Sequence, residues 1–216
     1  MINTQDQEEL LRLIADYLQE DLTCVAIGGT AMMFLGYKTT TKDIDLVFKT
    51  EQSRRVFVHA IEQIGYKEKS LVALYDEKKR GMAGKPKVYS RSDERFDLFV
   101  KSVFGYDVDF DMTKIVQRMD FLGKHELNVF VLPKEELILL KALTRRDKDH
   151  EDMVTIIKAE KAINWDHIVD MAISQRKNHP WILIDFEEAM QNLKKITFIP
   201  SMHFDKIYKA QHKREK

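Results

Sequence analysis

The chain has 216 residues, 44% of them hydrophobic, enough to bury one large core or two smaller ones. Thirty-five lysines and arginines balance 35 aspartates and glutamates, so a zero formal net charge excludes whole-molecule steering of nucleic acid and leaves only local patches. The one cysteine, Cys24, excludes an intrachain disulfide and a thiolate metal cluster and reads as a packing residue, and no apolar run approaches the roughly 20 residues needed to cross a bilayer.

The first nine residues are polar and acidic, unlike a secretory signal, and a cytoplasmic protein is expected. Leu10, Leu11, Ile14 and Leu18 recur at helical spacing and predict an amphipathic helix over 5–20. Residues 23–27 read as a strand, Gly28-Gly29 as the turn after it, and 30–35 as a short helix closed by Gly36. A second strand is predicted over 44–48, a helix over 53–64 that stops at Gly65, and a strand over 69–75. The stretch 76–87 combines Gly81, Gly84 and Pro86 with Lys78, Lys79, Arg80, Lys85 and Lys87. It reads either as a solvated loop or as a flap that meets phosphates or RNA.

Strands over 88–89 and 95–100 precede a hairpin, 119–122 with 127–132, turning at Lys124-His125-Glu126. From Pro133, which suits a first helical position, the pattern becomes helical. Helices are predicted to about Arg146 and from about Asp149 to Ala159, then one capped by Asn164 or Asp166 and one capped by Asp185. Trp165 and Trp181 read as packing anchors, and the basic tail from Lys206 is expected to fray. The organisation is thus α/β (α+β), a mixed α/β half over 1–132 followed by a helical half over 133–216.

The chemistry concentrates between Val25 and Phe48. Asp43-Ile44-Asp45 opens an apolar strand, and strand side chains alternate, so both carboxylates share a face about 7 Å apart. Two acids there are costly to bury unless paired or holding a cation, an arrangement that suits Mg²⁺ with nucleotide phosphates. Gly28-Gly29 fits either a plain tight turn or a backbone that approaches an anion. A third acid, Asp97, lies in Arg95-Phe96-Asp97-Leu98-Phe99-Val100, sharing a face with Phe99 while Phe96, Leu98 and Val100 take the other. It needs a partner, either an ion pair with Arg95 or Lys101 or a role in a site. The histidines show no zinc spacing, and there is no P-loop and no nucleophile elbow.

Strand, Gly-Gly, helix, Asp-x-Asp strand and a later single-Asp strand together resemble the DNA polymerase β-type nucleotidyltransferase superfamily. The resemblance implies a mixed sheet flanked by helices and followed by a C-terminal helical bundle that completes the nucleotide cleft. It implies that Asp43 and Asp45 bind Mg²⁺ in a two-metal site. Asp97 completes that site as ligand or base. Gly28, Gly29 and the Thr30 hydroxyl hold the triphosphate of an NTP. The donor's NMP would pass to an acceptor hydroxyl.

Further on, Lys141 sits in the apolar run Glu136 to Leu143, followed by Arg145, Arg146, Asp149 and Asp152. Such a lysine must snorkel, pair or serve a site. The acids also suit a helix N-terminus. Leu-x-x-x-Lys-Ala from Leu137, then Arg, then Lys-Asp-x-x-Asp is similar to the AbiEii-type toxins and related uncharacterised nucleotidyltransferases. Carried over, Lys141 contacts phosphates and Asp149, with Asp152 beside it, completes the nucleotide pocket. That subgroup implies an RNA acceptor such as a tRNA end, and a small antitoxin as partner. A small-molecule acceptor, a protein hydroxyl, and a non-catalytic nucleotide-binding or partner-binding module remain open.

Overall fold

The computed structural model describes residues 1–70, 84–111 and 117–212. The strand predicted over 69–75 lies outside these beyond residue 70, as do residues 76–83 of the basic stretch and the tail from 213. The chain divides into two compact units, Met1–Leu132 and Pro133–Lys216. Together they give a mixed α/β protein, with a mixed sheet and helices in the first unit and, among the described residues, helices alone in the second. No helix among the described residues is long and apolar enough to cross a membrane.

The first unit runs β1 (Ile2–Asn3), α1 (Thr4–Tyr17), β2 (Leu22–Ala26), α2 (Gly28–Phe34), β3 (Thr40–Thr41), β4 (Asp43–Phe48) and α3 (Glu51–Gln63). It continues through β5 (Lys67–Lys69), β6 (Lys87–Arg91), β7 (Glu94–Val100), β8 (Ser102–Val103), β9 (Tyr106–Asp107), β10 (Arg118–Leu122) and β11 (Glu126–Val131). Seven strands lie in the order β10-β11-β2-β4-β7-β6-β5, with β8 and β9 extending from β7. β2 and β11 are parallel, as are β4 and β7; the other neighbours are antiparallel.

Local chemistry sets the helix starts. The Asn3 side chain accepts from the Asp6 N–H at 2.9 Å, while the Asp6 carboxylate accepts from the Asn3 N–H, so a reciprocal cap begins α1. Thr50 does the same one-sidedly for α3, accepting from Ser53 N–H at 3.0 Å. α1 packs against α3, β10 and β11, and α3 lies over β2, β4 and β7. Under α3 the even-numbered strand residues close the core. Phe57 meets Phe48 at 5.2 Å and Phe96 at 5.5 Å between ring centroids. Both partners are fully buried, and truncating Phe57 to Ala would cost roughly 3–5 kcal/mol. The alternation then dictates that the odd-numbered residues, the acids among them, face away from α3.

The second unit contains α4 (Lys134–Thr144), α5 (Asp147–Ala159), α6 (Trp165–Gln175), α7 (Ile182–Leu193) and α8 (Ser201–His212). Pro133 caps α4, and Arg145, with φ of 54°, ends it in the left-handed region. Asn164 caps α6 through the His167 N–H at 3.1 Å. Three expectations need correcting. Asp185 does not cap its helix: α7 begins earlier, at Ile182, and the Asp185 carboxylate pairs with Arg145. Trp181 is no anchor, being 59% exposed at that helix start. The tail does not fray from Lys206, because a helix continues to His212. Lys206 Nζ, 2.8 Å from Asp166 and 2.6 Å from Asp170, ties that helix to α6.

Candidate active site

The acids come together through one strand pairing. β4 and β7 run parallel with Asp43 beside Arg95 and Asp45 beside Asp97. Neighbours in a parallel register project to the same face, so all four side chains share the face opposite α3. Adjacent strands lie about 4.8 Å apart, and like charges side by side are destabilising. Arg95 relieves this: its Nε and Nη2 each donate to a separate Asp97 oxygen at 2.7 Å. The same Nε is 3.8 Å from Asp43 Oδ1. Of the two ion-pair partners open to Asp97 in the sequence, Arg95 is the one taken.

The glycine pair is shaped to Asp45. The helix α2 starts at Gly28 itself, so the two glycines are its first residues rather than a turn before it. Gly28 has φ of 55°, and a Cβ there would come within 2.5 Å of Asp45 Oδ2. A Cβ on Gly29 would overlap Thr41 Oγ1. The Asp45 carboxylate therefore takes up the space that a side chain at Gly28 would need. Thr30 is fully buried, and its hydroxyl oxygen accepts from the Asp45 N–H at 2.9 Å. The Ile27 N–H donates to the Asp45 carbonyl at 3.1 Å, and the Thr41 hydroxyl donates to the Asp43 carbonyl at 3.1 Å. The strand segment carrying both acids is thus pinned by Ile27, Thr30 and Thr41. Sequence reasoning missed Thr41 because nothing local distinguishes it from Thr39 and Thr40.

Oxygen donors on one face are the set that Mg²⁺ takes, and these four side chains carry a formal charge of minus two. The chemistry of the donors fits the ion. Among the described residues, however, no three His, Cys, Asp or Glu side chains already converge to hold a metal. Asp97 is turned to Arg95 instead.

The second unit assembles the other predicted residues. Lys141 on α4 is buried, and its Nζ lies 3.1 Å from Asp149 and 2.6 Å from Asp152 on α5. α5 begins at Asp147, so Asp149 lies inside its first turn rather than capping it. Burial alone would raise the Asp149 pKa. Hydrogen bonds from Arg146 and Thr144 and the Lys141 charge outweigh it and hold the carboxyl below the ordinary carboxylate value. Beside this triad lies a cavity of about 450 Å³, lined by Lys141, Arg145, His150, Asp185 and Glu188 among others. Arg145 reaches Glu188 at 3.3 Å as well as Asp185. Glu136, by contrast, is buried with neither carboxylate oxygen hydrogen-bonded, and burial pushes its pKa up.

A family model described as nucleotidyltransferase of unknown function (DUF6036) matches residues 6–199. The chain belongs to that family. No curated protein matches it. Two crystal structures from H. pylori, one of a candidate nucleotidyltransferase and one of JHP933, are each 16% identical to it with a TM-score of 0.43. The first covers 96% of this chain and 92% of its own, the second 98% and 92%.

Proposed function

We propose that the protein is a Mg²⁺-dependent nucleotidyltransferase that moves an NMP from an NTP to an acceptor hydroxyl. The observation that carries the reading is the parallel pairing of β4 with β7, which aligns Asp45 with Asp97 and keeps Asp43 on the same face. A chance Asp-x-Asp on a solvated strand would need neither the side-chain-free space that Gly28 leaves for Asp45 nor the Thr30 and Thr41 hydrogen bonds that fix its backbone. Membership of a nucleotidyltransferase family supports the same reaction class.

In this reading Asp43 and Asp45 hold the metal, and Asp97 joins them as ligand or takes the proton of the acceptor hydroxyl. A bound ion would supply charge neutralisation to the phosphates while an acceptor hydroxyl displaces pyrophosphate at the α-phosphorus. Gly28 and Gly29 keep the backbone close to the carboxylate, and Thr30 acts as a positioning residue for Asp45 rather than touching phosphate. Most of the acceleration then comes from orientation and charge neutralisation. Lys141 would reach a phosphate only by leaving Asp149 and Asp152, so its ion pairs favour a role in holding the helical unit together.

The Arg95–Asp97 ion pair also supports a second reading, a nucleotide-binding module whose acids are permanently neutralised and which transfers nothing. Incubation with each α-labelled NTP, Mg²⁺ and pools of RNA, small hydroxylated compounds and proteins separates the two. Label transferred to one pool, and lost in Asp45→Asn at unchanged melting temperature, is the expected result. Nucleotide bound with no label moved to any pool favours the module. Of the acceptors, RNA is the one favoured by the AbiEii-like spacing, and salt-dependent turnover would support it.

A further inference from the structure

Arg95 plays no part in the reaction described above, yet it pairs with acids of both strands of the acid face. Its guanidinium grips Asp97 with two 2.7 Å hydrogen bonds in the fork geometry that makes such pairs strong. It also lies 3.8 Å from Asp43 Oδ1. It therefore occupies ground between a β4 acid and the β7 acid, where a cation shared by the acids would have to sit. Its side chain retains 27% of its exposure, so a path to water remains open to it.

Resting on the metal-dependent reading, we propose that Arg95 is an exchangeable counter-cation. In the metal-free protein it neutralises Asp97 and draws the acid face together. A divalent ion held by Asp43 and Asp45 competes with the guanidinium for Asp97, and the full three-carboxylate site forms only when Arg95 withdraws. Metal affinity is then set partly by the strength of the Arg95–Asp97 pair.

The test is a Mn²⁺ titration followed by electron paramagnetic resonance, with thermal unfolding in the presence and absence of Mg²⁺. It compares wild type, Arg95→Gln, Arg95→Lys and the double variant Asp43→Ala/Asp45→Ala. Removing the competitor should tighten Mn²⁺ binding by Arg95→Gln on the order of tenfold, the equivalent of one ordinary charged pair. Without metal its melting temperature should fall below wild type, and Mg²⁺ should raise it by more than it raises wild type. Arg95→Lys keeps the charge without the fork and should bind between the two, which provides the answer if Arg95→Gln does not fold. Mn²⁺ binding by both Arg95 variants equal to or weaker than wild type overturns the proposal. Wild-type binding that the double variant loses leaves the metal reading standing in that event. Absence of binding by wild type and Arg95 variants alike removes both.

Discussion

Two clusters of buried or half-buried acids in this molecule solve the same charge problem differently. On the β4–β7 face, Asp97 is neutralised by Arg95, and Asp43 keeps 37% of its side-chain exposure. In the helical unit, Asp149 and Asp152 share the buried Lys141, with Arg146 also on Asp149, and the side chains of Lys141 and the two acids are about 5% exposed. A cation with a route to water can be exchanged for another; one sealed between two helices cannot leave without exposing unpaired charge to a low-dielectric interior. On the proposed reading the first cluster serves ligand chemistry, while the ion pairs of the second join α4 to α5.

Substitutions should separate the two sharply. The largest expected effect is Asp45→Asn, which should lower nucleotidyl transfer by about a thousandfold or more, as loss of a metal ligand does, while shifting the melting temperature little. Lys141→Met should do the reverse. Asp149 keeps Arg146, but Asp152 loses Lys141 while still buried, which costs roughly 3–5 kcal/mol in chemical unfolding. Any folded fraction should bind nucleotide as wild type does. A stable Lys141→Met that has lost nucleotide binding would erase the distinction between the clusters.

Smaller effects sharpen the comparison. Gly28→Ala and Gly36→Ala both place a side chain at positive φ, 55° and 78°, but only the first meets an acid, since nothing lies within 4 Å of a Cβ on Gly36. Each should lose about 1 kcal/mol or more to backbone strain. Only Gly28→Ala should also weaken metal binding, read by the Mn²⁺ titration. A further acid, Glu136, is buried with no short hydrogen bond to its carboxylate, its ion-pair contact being His167 at 3.8 Å, and shows what a poorly compensated carboxylate does. Its raised pKa means the folded state holds the proton more tightly than the unfolded state, so Glu136 destabilises increasingly as pH rises through its unfolded value of about 4.3. Glu136→Met should therefore stabilise by about 1 kcal/mol at pH 7, with the gain fading as pH falls below 4. Asp149 has the opposite sign. Its depressed pKa stabilises the fold above about 3.9, and that contribution is lost on acidification.

The acid face was half legible in the sequence. Alternation alone put Asp43 and Asp45 on one face and Asp97 opposite Phe96, and the strands α3 covers follow that alternation. The alignment of Asp45 with Asp97 was not legible, because it depends on a parallel pairing between segments about fifty residues apart that no local pattern encodes. Lys141 stood out as a lone charge in an apolar run, and its two partners were among the acids already singled out. Asp185 misled for the converse reason. An Asp before an apolar run looks like a cap, and only tertiary structure brings Arg145 to it. The final helix was read as a fraying basic tail because its hold, Lys206 on Asp166 and Asp170, spans some forty residues.

The proposed function requires that Asp43 and Asp45 form a metal-dependent nucleotide site. Titration calorimetry with ATP, GTP, CTP and UTP, with and without Mg²⁺, on wild type and Asp43→Ala/Asp45→Ala tests this most directly. The expected result is Mg²⁺-dependent binding of at least one triphosphate by wild type and none by the double variant at unchanged fold. Equal binding by both proteins, or binding indifferent to Mg²⁺, would contradict it.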